Sequence, residues 1–286
     1  MDYRCCRAVL VGYCLLGGGK RVIKATSTLV PLMGVIYISV AFILTIMHIN
    51  LVPGVVGRIF AEAFDFTAIF GGFAGSCMMF GIKRGLYSNE AGVGSAPNAA
   101  AAADVSHPVK QGLVQMLSVF IDTLLICTAT AFMCLSSGIE PTKELAGAPY
   151  VQAALAASMG DYAKLFITVS MVLFAFTTLL GNLYYVDNAF AYVLKHVPGK
   201  TFTLCYRILA CVLIFIGAGS SMGTMWDLAD VTMGFMAIIN LPVICILGGP
   251  ALRALDDYTE QRDAGKNPEF KASKIGLTQK LDYWQD

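Results

Sequence analysis

Charge is what this chain has little of. Only 14% of its 286 residues are Asp, Glu, Lys or Arg, against 57% hydrophobic, and the net charge is +1. A soluble domain carries about 25% charged residues. The deficit is concentrated in several long uncharged runs, and a bilayer core takes about 20 apolar residues in a helix. A net charge so near zero argues against a nucleic-acid or acidic partner. His48, His107 and His196 lie far apart at the ends of apolar runs, which leaves no histidine cluster for catalysis or metal. The nine cysteines have no metal-ligand spacing; Cys77, Cys127, Cys134, Cys211 and Cys245 fall inside apolar runs, as small buried hydrophobes do. There is no phosphate-binding GxxxxGK[ST] loop, no GxSxG and no HExxH, and no small-residue cleavage site of a signal peptide. These absences exclude a soluble enzyme with a nucleotide, metal or organic cofactor. What is present reads as an all-α polytopic membrane protein.

Six runs are apolar enough to span: 29–47, 66–82, 112–135, 165–186, 202–218 and 228–248. Pro31 lies in the first turn of its run, where a missing N–H is harmless, whereas Asn240 and Pro242 predict a break or kink in the last. Trp226 stands at its interface position. The run 8–16, AVLVGYCLL, would make only about 13 Å of helix and reads as the end of a helix. Orientation follows from loop Lys and Arg. One set of loops holds Lys20, Arg21, Lys24, Lys83, Arg84, Lys110, Lys195, Lys200, Arg207 and six more in the tail; the other holds only Arg58, Lys143 and Lys164. The first set is expected on the cytoplasmic side, with the C-terminus. The charged tail from Arg253 is expected to be solvated and partly disordered. Segment 140–161 is expected outside, as a short helix or a plain loop.

Four places carry chemistry. In 66–82, Gly71, Gly72 and Gly75 lie among Phe70 and Phe73. Such glycines either let helices pack closely or mark a broken helix whose freed backbone groups bind solute and ions. Thr177 and Thr178 lie deep in an apolar helix; each hydroxyl either bonds back to its own helix or coordinates sodium. Asn182, about a turn later, either meets a polar solute or bonds another helix. Asp122 is an intramembrane carboxylate, costly unless it faces a partner or a wet cavity, and Thr123, Thr128 and Thr130 are placed to join its network. Asp227 and Asp230, at the outer end of the last run, read as structural.

The stretch GLYSNEAGVGSAPNAAAAADVSHP (85–108) has no core of its own. GIKRGLYSNEAGVGSAP, followed by HPVKQGLVQ and FIDTLLICTATA, closely resembles the alanine or glycine:cation symporter family, also called sodium:alanine symporters. GGGKRVIK with VPLMGVIY, LFAFTTLLGNLYY, and WDLAD with GFMAIINLP extend the resemblance in register over about 17–249.

The resemblance implies a leucine-transporter-like fold of the amino acid–polyamine–organocation superfamily, with two inverted five-helix repeats. It divides the chain into 1–28, the remnant of core helix four and a cytoplasmic loop; 29–58, core helix five and an external loop; 59–249, the second repeat of core helices six to ten; and 250–286, a cytoplasmic tail. It implies that Phe70, Gly71, Gly72, Phe73, Gly75 and Asn182 line a substrate site and that Thr177 and Thr178 bind sodium, although many family members carry Trp at the position of Asn182. Asn89 and Glu90, with Asp122 and Thr123, are expected in a gate or polar network. For Asn89 and Glu90 the alternative is a compact turn that caps helix ends. The implied activity is sodium-coupled symport of alanine or glycine across the plasma membrane, with sodium as coupling ion and no cofactor. Family members also have helices one to three, a complete helix four and a glycine-rich first helix. The expectation is therefore a C-terminal portion, which either needs a separate polypeptide with the missing helices or does not transport.

Overall fold

The computed structural model describes residues 19–64, 73–140, 142, 145, 147–277, 281 and 284. In chain order its elements are α1 (Gly19–Met47), a 3-10 turn (Ile49–Leu51), α2 (Val52–Ala63), α3 (Phe73–Ser88) and the short α4 (Ala96–Ala100). Then come α5 (Pro108–Ile121), a π-helical turn (Asp122–Cys127), α6 (Thr128–Leu135), α7 (Ala148–Met159), α8 (Asp161–Leu194), α9 (Lys200–Gly219) and α10 (Met222–Asp263), and last a 3-10 turn (Ala272–Ile275). Among the described residues there is no strand.

Among the described residues five stretches are long and apolar enough to cross a membrane: Ser27–Met47, Pro108–Leu135, Asp161–Leu194, Lys200–Gly219 and Met222–Asp263. They correspond to five of the six expected runs. The sixth, 66–82, lies partly outside the described residues; its later part is helical and continues through Lys83 and Arg84 to Ser88. The helices overrun the apolar runs because hydropathy reports membrane depth, not helix length. At 1.5 Å per residue, the 42 residues of α10 reach about 63 Å, far more than a bilayer core of about 30 Å. Its charged end, ALRALDDYTEQRD, is rich in good helix formers. Of the break or kink expected at Pro242, the break is not found: α10 runs through Pro242 and Pro250. A proline removes one hydrogen bond from such a ladder, and the unbroken turns on either side hold it in register.

The chain forms two compact units, Met1–Arg84 with Asp122–Met222, and Gly85–Ile121 with Gly223–Asp286. The first is centred on a stripe of α1. Met33, Tyr37, Ala41 and Leu44 are buried at the three- and four-residue spacing that puts side chains on one helix face. Tyr37, Ala41 and Leu44 pack with Met133 of α6, Leu155 of α7, and Ala163 and Ile167 of α8. Phe166 stacks on the Tyr37 ring at 6.2 Å, and Phe174 meets it edge-on at 5.6 Å. Within segment 140–161 the short helix is present as α7, which contributes Ala154 and Leu155, both essentially inaccessible, so it is part of this core. Further along α8, Leu180 and Leu183 pack against Tyr206, Ala210, Cys211 and Ile214 of α9, and Arg207 Nη2 meets Asp187 Oδ2 at 2.9 Å.

The second unit holds α5, α10, the stretch before α5, and the chain after α10. The tail corrects an expectation. It is helical to Asp263, and residues 266–277 then pack back as an ordered strap, with Phe270 and Ile275 buried beside Ala254 and with Val109 and Trp284 against them. Aromatic and aliphatic residues among the charges supply the apolar contacts that a fully solvated tail lacks. Outward, α9 and α10 expose large side chains such as Leu213, Ile216, Phe235, Ile238, Ile239 and Ile246. A surface that apolar is untenable in water and is what a lipid-facing helix requires.

Candidate functional site

The first unit places Thr177 and Thr178 differently. Thr177 is buried, and Thr178 and Asn182, one turn apart on α8, are exposed. Successive residues of a helix are about 100° apart, so the one hydroxyl turns into the packing and the other toward its edge. Thr177 lies between the two packed clusters: Phe174, a turn earlier, meets Tyr37, and Leu180, a turn later, packs on α9. Its hydroxyl donates to the carbonyls of Leu173 and Phe174, each at 3.1 Å. That is the back-bonded reading. It occupies the proton and leaves an oxygen lone pair, so a back-bonded threonine is still able to accept a hard cation. Ser170, also buried, lies two turns before Thr177 on the same face of α8. Sequence reasoning passed over it, although its seven-residue spacing from Thr177 was visible.

Of the expected substrate lining, Phe70, Gly71 and Gly72 lie outside the described residues. Phe73 opens α3 and Gly75 is in its first turn.

Asp122 opens the π-helical turn that joins α5 to α6. Thr128 donates its hydroxyl to the carbonyl of Thr123, five residues back, at 3.2 Å, and Cys127 Sγ lies 4.0 Å from Asp122 Oδ2. Five-residue spacing is the π-helical signature, and such turns are frequent at functional sites. Thr130 enters a different contact. It donates to the Ile126 carbonyl at 2.9 Å, so the Tyr37 hydroxyl, 2.8 Å away, donates to it. Sequence reasoning missed Tyr37, which looks like any aromatic in an apolar run.

Asn89 and Glu90 belong to the second unit. Asn89 Nδ2 donates to the Gly85 carbonyl at 3.0 Å and closes the end of α3. Glu90, at φ 50, accepts the Ser95 hydroxyl at 2.6 Å. Next, Gly92 and Gly94 hold φ of 77 and 98, which side chains rarely adopt, and bring the backbone onto α10. A Cβ on Gly92 would stand 2.9 Å from Leu241 Cδ2, and one on Gly94 would stand 3.0 Å from Asn240 Cγ. Asn240 Nδ2 donates to the Gly92 carbonyl at 3.0 Å. Asn240, expected to break its helix, is thus the residue that holds this turn. Its signal was a lone amide in an apolar run.

The expected residues are divided between the units: Thr177, Thr178, Asn182, Asp122 and Thr123 belong to the first, and Asn89 and Glu90 to the second.

Long apolar helices with outward aliphatic faces and a few polar groups along their length define an integral, multi-pass membrane protein. Residues 5–272 match the sodium:alanine symporter family, and the chain belongs to that family. It is 42% identical to the amino-acid carrier protein AlsT of Bacillus subtilis over 279 residues, 98% of this chain and 59% of that protein. It is 41% identical to the probable sodium/glutamine symporter GlnT of B. subtilis over 273 residues, covering 96% of this chain and 56% of that protein. It is 38% identical to the sodium/alanine symporter AgcS of Methanococcus maripaludis over 258 residues, 89% of this chain and 56% of the relative. The chain thus spans rather more than half the length of these relatives.

Proposed function

We propose that the chain is the part of a sodium-coupled symporter for alanine or glycine that carries one half of the substrate site and the α8 side of a sodium site. The family match along 5–272 carries this reading. The named relatives include a sodium/alanine and a probable sodium/glutamine symporter, so a small neutral amino acid driven by the sodium gradient is the class of cargo both share. Thr177 supports it as a hydroxyl oxygen buried at mid-helix with its own proton already engaged. In this reading Thr177 and Thr178 supply oxygens to sodium, and Phe70 to Gly75 with Asn182 enclose the amino acid. The turn at Asn89 to Gly94 is the inner gate. Thr178 and Asn182 are exposed here, which suits residues that face helices of the part the chain does not span. In this reading the helices lie in the bilayer of the plasma membrane, with the C-terminus in the cytoplasm as the distribution of Lys and Arg favours. A leucine-transporter-like arrangement of these helices accompanies the proposal, since broken helices at mid-membrane give it a solute and ion site.

The test is uptake of labelled alanine, glycine and glutamine into proteoliposomes under a sodium or a potassium gradient. One preparation holds this chain alone; the other holds it with a segment corresponding to the remainder of a relative such as AlsT. Sodium-driven uptake of alanine or glycine in the second preparation is expected. Uptake equal under both gradients would refute sodium coupling, and accumulation of glutamine alone would refute the proposed cargo.

A further inference from the structure

The strap after α10 is held by more than apolar contact. Gln261 grips the backbone of Glu269 from both sides: its Nε2 donates to the carbonyl and its Oε1 accepts the amide, each at 3.0 Å. Ser106 does the same one step along. Its hydroxyl donates to the Pro268 carbonyl at 2.9 Å, and its own carbonyl accepts the Phe270 amide at 3.0 Å. Lys110 Nζ reaches both Ser106 Oγ at 2.7 Å and Asn267 Oδ1 at 2.6 Å. The strap thereby ties the entrance of α5 to the extension of α10.

At its centre His107 is wholly buried, with Tyr258 at 5.2 Å and Phe270 at 5.1 Å, both edge-on to its ring. The geometry fixes its proton. The Val109 amide, which can only donate, points at Nδ1 at 3.2 Å. Nδ1 is therefore bare, and Nε2 carries the hydrogen toward Asp257 Oδ2 at 3.4 Å. A second proton has to go on Nδ1, where it would face the amide it now accepts and uncap the first turn of α5.

The charged and titratable groups around the ring are Asp257 and Tyr258 from α10, Lys110 from α5 and Lys274 from the strap. Asp257 is shared: Lys274 lies 3.5 Å from its Oδ1, and Gln261 donates to its Oδ2 at 2.8 Å. An imidazolium would thus be buried beside two lysines and one carboxylate already engaged. Burial first of all holds the imidazole below its usual range, with the two lysines adding to the effect and Asp257 opposing it.

We propose that residues 266–277 are a clasp that stays closed while His107 is neutral and loosens when the compartment at that end of α10 turns acid. The sign follows from linkage. The clasped ring has the lower affinity for a proton, so the clasp is fully stabilised above the free histidine value of about 6.5. It loses stability as pH falls below that, until the pH passes the clasped value. Nothing in this depends on what the protein transports.

Hydrogen–deuterium exchange of the full chain in lipid nanodiscs, at about pH 8 and about pH 5 and corrected for intrinsic rates, reads the clasp directly. Peptides covering 266–277 are expected to be protected at the higher pH and to exchange at least about threefold faster at the lower. His107→Asn, which caps a helix but does not titrate, is expected to give the same exchange at both. Gln261→Ala keeps the ring but removes both bonds to Glu269 and the one to Asp257 Oδ2; it is expected to raise exchange about tenfold or more at either pH, the effect of losing the two bonds that hold the strap, and to keep the acid response. Equal wild-type protection at the two pH values overturns the proposal. So does an acid response that survives in His107→Asn.

Discussion

Replacing Gly94 by alanine tests the packing of the turn at 90–95 against α10. Two costs can be read from the structure. First, φ of 98 at Gly94 lies where an L side chain is strained, by about 1 kcal/mol or more. Second, the new Cβ would stand 3.0 Å from Asn240 Cγ and 3.2 Å from its Oδ1, which pushes the amide off the Gly92 carbonyl it now bonds at 3.0 Å. That hydrogen bond contributes about 1 kcal/mol, so Gly94→Ala should cost about 2 kcal/mol in all. Unfolding in mixed micelles with increasing denaturing detergent, followed by circular dichroism, measures it. Asn240→Ala alone should cost about 1 kcal/mol, and the double variant about 2 kcal/mol, short of the sum, because the strain remains but there is no amide left to displace. Gly234→Ala is the control: it lies in α10 with nothing near the added Cβ, and it should be neutral or stabilising by up to about 1 kcal/mol. Wild-type stability of Gly94→Ala, or full additivity with Asn240→Ala, would show that this turn does not pack on α10 as described.

Three further outcomes are expected. In co-reconstituted vesicles Thr177→Val should raise the half-saturating sodium concentration about tenfold to a hundredfold, the loss of one bond to a charged group. Its helix keeps its own ladder, and Thr178→Val should act in the same direction; unchanged sodium dependence in both removes them as ligands. Leu155→Ala, at an almost inaccessible position of α7, should lower stability in the same detergent titration by about 3 kcal/mol, whereas a loss below about 1 kcal/mol would show that α7 lies loosely on its neighbours. Tyr37→Phe should cost only about 0.5–1 kcal/mol, since Thr130 keeps its bond to the Ile126 carbonyl; a much larger loss would mean that Tyr37 supports more than this one contact.

The spans were legible because the membrane imposes one rule on every residue within it, and hydropathy states that rule. What lies at the ends of the spans was less so. The run 228–248 gave no sign that α10 continues to Asp263, because ALRALDDYTEQRD is helical by propensity while being too charged for lipid. The clasp was illegible for another reason: Phe270 and Ser106 are far apart in sequence, and nothing local to either marks the other. At Pro242 local proline chemistry predicts a break or a kink, and the break is not there because the helix around it keeps its remaining bonds. For Thr177 and Thr178 the sequence identified the pair but not the phase, since which hydroxyl is buried depends on where α1 and α9 pack against α8. The π-helical turn at Asp122 needs one extra residue in a turn of otherwise ordinary helix formers, and composition cannot register that.

The folded strap also matters to anyone who handles this protein at the bench. Trimming the chain just after Asp263, a natural choice for a greasy protein with a charged end, would strip Phe270 and Ile275 from Ala254 and Val109 and bare the ring of His107. Reporters and purification handles placed there would be grafted onto packed structure, and a shortened version that precipitates would be showing an uncovered seam.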